Sequence, residues 1–422
     1  MKKIAKLSLV AAVAVAGFST ANAQPLEEAI KNVEVSGSVV YRYNDKNDSK
    51  ATTDSSDTNN NYKVALNLAS KVNEDVKFNS RFVVGQPSNT GTGNAGFATL
   101  DTNDNGDQNV GVELTNAYFG YTGIANTTVN VGKQGLTTPW TVAVDSDGNE
   151  QTGTGVLALS TVGPVTLAAA YFNQTNLDKS TDASHDGIKL FDSKRKATDP
   201  LFGQDNALSG SADIVTVGAI ANLDFVTLDA WYLDLTDTFD TYTVGAKSDF
   251  DLSGVKLGVD ARYASLTLDK PVAGLLNNAE ENNAMAKLVL TAKAGIVNGK
   301  LAYAMTDKDG GLTALDNDAN TTLLGWNLNA NGKADADYWQ AVVGVDILSN
   351  LNLSANYGNI EYKSNNTSAA DKMEEEEIYA QLVYKMSKNL SSYVRYGVHT
   401  VDKNNDETKD FTVGRLQVEY TF

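Results

Sequence analysis

The 422-residue chain contains no cysteine and only two histidines, His185 and His399. No disulfide framework or thiolate metal site can form, and the nucleophilic and zinc chemistries that rely on histidine are thinly supplied. Proline is scarce, 6 residues against 34 glycines, and falls mostly outside the strand-like runs, as a β-protein requires. After the N-terminal segment no run of about 18 or more apolar residues occurs, which excludes a helical membrane protein. Positive charge is in deficit: 34 Lys and Arg face 52 Asp and Glu, a formal net charge of −18. No nucleic-acid partner is expected.

What is present begins with an export signal. Lys2, Lys3 and Lys6 form a basic region, Leu7 to Phe18 an apolar core, and Ala21-Asn22-Ala23 an A-x-A cleavage site. Residues 1–23 are expected to be removed, leaving residues 24–422 as one domain and moving the formal charge from −18 to −21.

From residue 33 onward the chain alternates with period two. Val33 to Tyr43 points Val33, Val35, Gly37, Val39, Tyr41 and Tyr43 one way and Glu34, Ser36, Ser38, Val40 and Arg42 the other. Tyr62 to Ser70, Val76 to Val84, Val255 to Tyr263 and Ile378 to Met386 repeat the pattern. One apolar and one wet face per strand is the signature of a barrel that shows lipid its outside and water its lumen. About eighteen such runs can be counted, within a range of 16–18 strands for an all-β, antiparallel transmembrane barrel. In the run from Val110 to Tyr121 either face can be outward, and that choice decides whether Glu113 lines the lumen.

The connections alternate long and short. Long ones include 44–61, 86–109, 135–154, 173–212, 265–283, 307–336, 363–375 and 401–410; short ones include 71–75, 122–126, 161–163, 249–254 and 387–389. Long extracellular loops and short periplasmic turns are what an outer-membrane barrel presents. The last run, Phe411 to Phe422, ends in Tyr420 and Phe422 on its apolar face, an aromatic pair suited to a membrane interface and to barrel closure.

With Pro25 to Ile30 leading into Val33-Glu34-Val35-Ser36-Gly37 and Tyr41-Arg42-Tyr43, Gly132-Lys133-Gln134 ending the fifth run, and the closing Arg415-Leu416-Gln417, the chain resembles the major outer-membrane porins (MOMP) of Campylobacter and its relatives. The resemblance implies an eighteen-stranded homotrimeric general porin of the outer membrane, embedded among lipid and lipopolysaccharide. It also implies somewhat cation-favouring passage of ions and small hydrophilic solutes, and a third long loop folded inward.

On that reading, 135–154 is the candidate constriction loop. It carries Asp145, Asp147 and Glu150 with no Lys or Arg, and Trp140 and Pro139 are candidates to anchor it. The alternative is that these carboxylates are solvated loop charges. The wet faces of the first three strands offer Arg42, Lys63 and Arg81 as a basic lumen wall, since a cation facing mid-membrane lipid costs roughly 2–4 kcal/mol. An acidic loop opposite a basic wall would set up a transverse field; the alternative for each is a rim position. No catalytic residue and no cofactor are expected. Asp101, Asn103, Asn105 and Asp107 resemble the start of a calcium loop, but the twelfth position is Val112 rather than an acid, and the alternative is a flexible acidic loop. Glu374 to Glu377 reads as a solvated rim, the alternative being a site for bridging divalent cations. The rival functions are a substrate-specific channel, for which Trp231 offers one step but no aromatic track, an outer-membrane enzyme using His185 and His399, for which no local motif exists, and a surface adhesin.

Overall fold

In a computed structural model of the chain, eighteen antiparallel strands close into a single barrel. The structure describes residues 33–52, 56–85, 96–99, 111–185, 188–190, 210–276, 279–308, 310–364 and 371–422. The export signal and the calcium-like motif at Asp101 to Asp107 lie outside them.

The strands are β1 (Val33–Asp48), β2 (Asp57–Lys71), β3 (Val76–Gly85), β4 (Gly111–Ile124), β5 (Thr127–Gly135) and β6 (Thr152–Val162). Next come β7 (Val165–Thr175), β8 (Ile214–Asn222), β9 (Thr227–Leu235), β10 (Phe239–Leu252), β11 (Val255–Leu268) and β12 (Asn282–Ala294). The last six are β13 (Val297–Thr306), β14 (Ala334–Leu348), β15 (Leu351–Ser364), β16 (Asp371–Lys385), β17 (Leu390–Lys403) and β18 (Asp406–Thr421). Each pairs with the next, and β18 returns to β1 from Ser38↔Thr421 to Asp48↔Phe411. Closure satisfies every strand edge, which a wall immersed in lipid requires.

The seam is finished by the expected aromatic pair. Gly37 and Phe422 exchange backbone hydrogen bonds of 2.9 and 3.1 Å, and the Phe422 ring stacks on Tyr420 at 5.9 Å. A side chain at Gly37 has no room, because its Cβ would fall 2.2 Å from the Ala65 carbonyl oxygen and 2.7 Å from the Phe422 ring.

Outward positions are apolar and exposed: Val35, Val39, Leu159, Leu167, Val217, Leu290, Leu301 and Val343 belong to this band. Tyr232, Tyr242, Tyr263, Trp339 and Tyr357 ring it near the loop end, and Phe225, Phe250 and Tyr384 near the turn end. So much contiguous apolar surface is stable against lipid, not against water. Tight turns close one end; at Ser253–Gly254 both central residues take positive φ, 55° and 88°, the geometry that matches hairpin twist.

At the other end lie L1 (49–56), L2 (86–110), L3 (136–151), L4 (176–213), L5 (236–238), L6 (269–281), L7 (307–333), L8 (365–370) and L9 (404–405). Three expected long loops are shorter than their polarity suggests. Residues 401–410 form a hairpin turning on Asn404 and Asn405, both at positive φ. Much of 44–61 continues β1 and β2, with Asn44↔Asn59 and Lys46↔Asp57 paired, and much of 363–375 continues β15 and β16, with Lys363↔Lys372 paired. Strand pairing persists above the membrane, where both faces can be polar. The parity of β4 is resolved by a bulge between Arg81↔Asn116 and Phe82↔Leu114. It leaves Thr115 as the extra residue and turns both Glu113 and Tyr118 inward, so no single alternation describes the run.

Candidate pore constriction

L3 folds into the barrel and is fastened to β1–β3 by charge. Its tip is a tight turn: Asp145 accepts the Asn149 N–H at 2.7 Å, and Gly148, at φ 82°, donates to the Asp145 carbonyl at 3.0 Å. The turn carries Glu150 to Lys63 (2.8 Å) and to Arg81, which donates from Nε and Nη2 at 3.0 and 2.8 Å. Lys63 also donates to the Gly148 carbonyl at 2.6 Å. Arg42 donates to the Ser146 carbonyl at 2.7 Å, pairs with Asp147 at 3.3 Å, and stacks 4.2 Å over Phe97 of L2.

All six charged residues singled out in L3 and on the wall are therefore neighbours, but not all as expected. Glu150 is in contact with the wall instead of facing it across water, with side-chain exposures of 2% for Glu150 and 5% for Lys63. These pairs fix the loop; although burial opposes it, Arg81 and Lys63 hold the Glu150 carboxyl below the usual range. Asp147, 69% exposed, is the acid left open to the lumen. Trp140 is fully buried in an apolar cluster with Leu136 and Leu315.

The sequence reading missed L7. Its Leu315 N–H donates to the Trp140 carbonyl at 2.9 Å, Thr321 donates to the Pro139 carbonyl at 3.2 Å, and Asp318 accepts from the Ser146 N–H at 2.9 Å. L7 fills the other side of the lumen. Leu323, Leu328 and Ala330 pack on Met285, Ala304, Tyr338 and Ile360 of the wall, while Leu312 and Leu315 join Phe172, Leu233, Leu266 and Leu268. That seat had a signal: wet-face positions of β7 to β13 become apolar toward the loop end, where water-lined strands would carry polar residues.

The tip of L7 is held by Glu377, which accepts the Trp326 and Asn327 N–H groups at 2.9 and 2.7 Å. Trp326 then stands edge-on to Tyr379, 5.0 Å between ring centres. Glu375 accepts from Lys333 at 2.7 Å and Tyr362 at 2.8 Å and lies 3.1 Å from His399 Nε2. The solvated-rim reading of Glu374 to Glu377 is thus half wrong. Alternation sends Glu375 and Glu377 inward to burial and leaves Glu374 and Glu376 outside with Asn359 and Tyr357.

Where L3, L4 and L7 meet, Asp145, Asp182 and Asp316 bring carboxylate oxygens within 4.8 Å of one another. Burial, then neighbouring charge, raises Asp316 to about 8; burial likewise raises Asp145 to about 6 despite its hydrogen bonds to Asn149. Asp316 Oδ2 is buried without a hydrogen-bond partner. An all-oxygen, electron-rich set of this kind fits a hard divalent cation, which would supply the missing positive charge and tie the three loops together.

Between these loops and the wall lies a cavity of about 580 Å³ lined by Asp147, Asp318, Trp326, Lys287, Arg395 and Arg415. The basic wall is wider than read from the first three strands. Five adjacent strands, β17, β18, β1, β2 and β3, contribute Arg395, Arg415, Arg42, Lys63 and Arg81. The first two become neighbours of the rest only when the seam closes.

A closed eighteen-stranded barrel with a lipid-facing exterior and inward loops over a charged lumen defines an outer-membrane porin. The chain belongs to the Campylobacter major outer membrane protein family, whose model matches residues 1–422. It is an outer-membrane protein of a class that forms channels and not enzymes. No curated protein matches the sequence. Among solved structures, Pseudomonas aeruginosa OpdL is similar with 17% identity and a TM-score of 0.68, over 93% of this chain and 99% of that one. Acinetobacter baumannii OccAB3 gives 15% and 0.69 over 93% and 99%. Pseudomonas aeruginosa OccK2 in complex with glucuronate gives 15% and 0.66 over 92% and 98%.

Proposed function

We propose that the chain is a general diffusion porin for ions and small hydrophilic solutes, narrowed by L3 with L7 and modestly favouring cations. The observation that carries this reading is the meeting of both loops inside the lumen, at Ser146 and Asp318, beside the arginines of the wall. Selectivity in such a pore follows the width and charge of its narrowest part. Asp147 and Asp318 give that part an acidic side opposite Arg395 and Arg415, Lys63 and Arg81 being neutralised by Glu150, so the cation preference rests on the chain's net charge of −18. The Asp145, Asp182 and Asp316 cluster is the proposed divalent-cation site among the described residues.

A homotrimer embedded in lipid and lipopolysaccharide is proposed from family membership. A narrower substrate range draws support from OccK2, a barrel of this fold described in complex with glucuronate. The test is planar-bilayer conductance of the refolded protein under a salt gradient. Ohmic steps in threes with a cation-favouring reversal potential are expected; a folded barrel that passes no current overturns the pore reading.

A further inference from the structure

The cavity at the constriction keeps two charges of each sign available to a solute. On the wall, Arg395 gives its Nε hydrogen to Gln381 and lies against the Tyr393 and Trp326 rings at 4.8 and 5.6 Å. Among the described residues it has no ion-pair partner. Arg415 donates Nε to Asn44 at 2.7 Å, and its Nη2 stands 3.6 Å from Asp147 Oδ1, too far for a hydrogen bond. On the loop side, Asp147 shares Oδ1 with Arg42 at 3.3 Å but is 69% exposed and open to the lumen, and Asp318 has one oxygen engaged by the Ser146 N–H. Asp145 and Asp182, at the back of the same cavity, lie beside Asp316, and Lys287 donates to the Thr322 carbonyl at 2.9 Å.

We propose that this cavity is a binding subsite for small zwitterions of the α-amino-acid class. The carboxylate sits on Arg395 and Arg415, the ammonium on Asp147 and Asp318, and a flat side chain lies on Trp326. A solute with one charge pairs with only one side of this cavity and leaves the charges of the other side unmatched. An α-amino acid carries its charges on atoms bonded to one carbon, so it needs acid and base a few ångströms apart, which the 3.6 Å gap between Arg415 and Asp147 provides. Guanidinium forks match a carboxylate bidentately. Trp326 is positioned by the Glu377 hydrogen bonds and by Tyr379 rather than by the loop alone. The subsite rests on the channel reading above.

The experiment is current block in planar bilayers containing the full refolded protein in KCl. L-phenylalanine is compared with 3-phenylpropionate and 2-phenylethylamine, which keep one charge each. The amino acid is expected to block saturably at concentrations about tenfold or more below either single-charge probe, the loss that follows from removing one charge-assisted hydrogen bond. Arg395→Gln and Asp147→Asn are each expected to weaken the block by a similar factor. If Arg395→Gln fails to insert, Arg395→Lys makes the same comparison, keeping the charge and removing the fork. Equal block by 3-phenylpropionate, or block unchanged in these variants, overturns the proposal. KCl conductance without amino-acid block removes this subsite alone; no KCl conductance removes the channel reading with it.

Discussion

Two acids of L3, three residues apart in the chain, have opposite consequences when neutralised. Glu150 is buried between Lys63 and Arg81, and removing one partner of a buried pair costs about 3–5 kcal/mol because the other charge is stranded. Glu150→Gln is therefore expected to detach L3, read as new protease cleavage within 136–151 and noisier, larger conductance. Asp147 is 69% exposed, where an ion pair contributes about 0–1 kcal/mol. Asp147→Asn should leave L3 protected and shift the reversal potential away from cations. Glu377 belongs with Glu150: its carboxylate receives two backbone N–H groups of L7. Glu377→Ala is expected to cost the L7 tip about 1–3 kcal/mol per group left unsatisfied, and to appear as faster exchange of the Trp326 and Asn327 amides.

At the scale of elements, L3, L4 and L7 act together through Asp145, Asp182 and Asp316. In metal-free buffer the raised carboxyls, Asp316 at about 8 and Asp145 at about 6, bind more protons when the loops are docked than when they are not. Docking should weaken as pH rises from about 4 toward 8. Calcium in the micromolar to millimolar range should restore protection from proteolysis at pH 8 in the wild type and fail to do so in Asp316→Asn.

These elements also mark the limit of what the sequence disclosed. The strands, their turns, L3 and its three acids were legible because alternation and loop order are local properties of the chain. L7 was not: its polar, glycine-containing stretch looks like solvated loop until its few leucines are matched to inward apolar positions such as Leu233 and Leu266, far away in sequence. Polar strand extensions such as Asn44 to Asp48 were read as loop for the converse reason, since nothing apolar marks a strand above the lipid. In β4 the bulge at Thr115 broke the one pattern available.

For the whole molecule the wall is of two kinds, and the seam lies within one of them. Inward faces of β7 to β15 are apolar toward the loop end and seat L7 and the base of L3, whereas β17 to β3, running through the closure, carry the basic residues that hold the L3 tip and line the cavity. Gly37→Val is expected to prevent proper closure, because its Cβ alone meets the Ala65 carbonyl at 2.2 Å and the Phe422 ring at 2.7 Å. The outcome to measure is the folded fraction on an unheated detergent gel, with Gly414→Ala, where the nearest atom is 3.7 Å away, retaining folding.

Because β1 bonds to β18, the pairing that removes the last two free edges joins residues nearly the whole chain apart. No shorter nascent product can be complete: one missing its last hairpin has two unsatisfied edges, each a template for another copy. Assembly should accordingly be a late, all-or-none event, slow for a chain of such non-local contacts. Until then the open edges leave the polypeptide prone to pairing with other copies of itself.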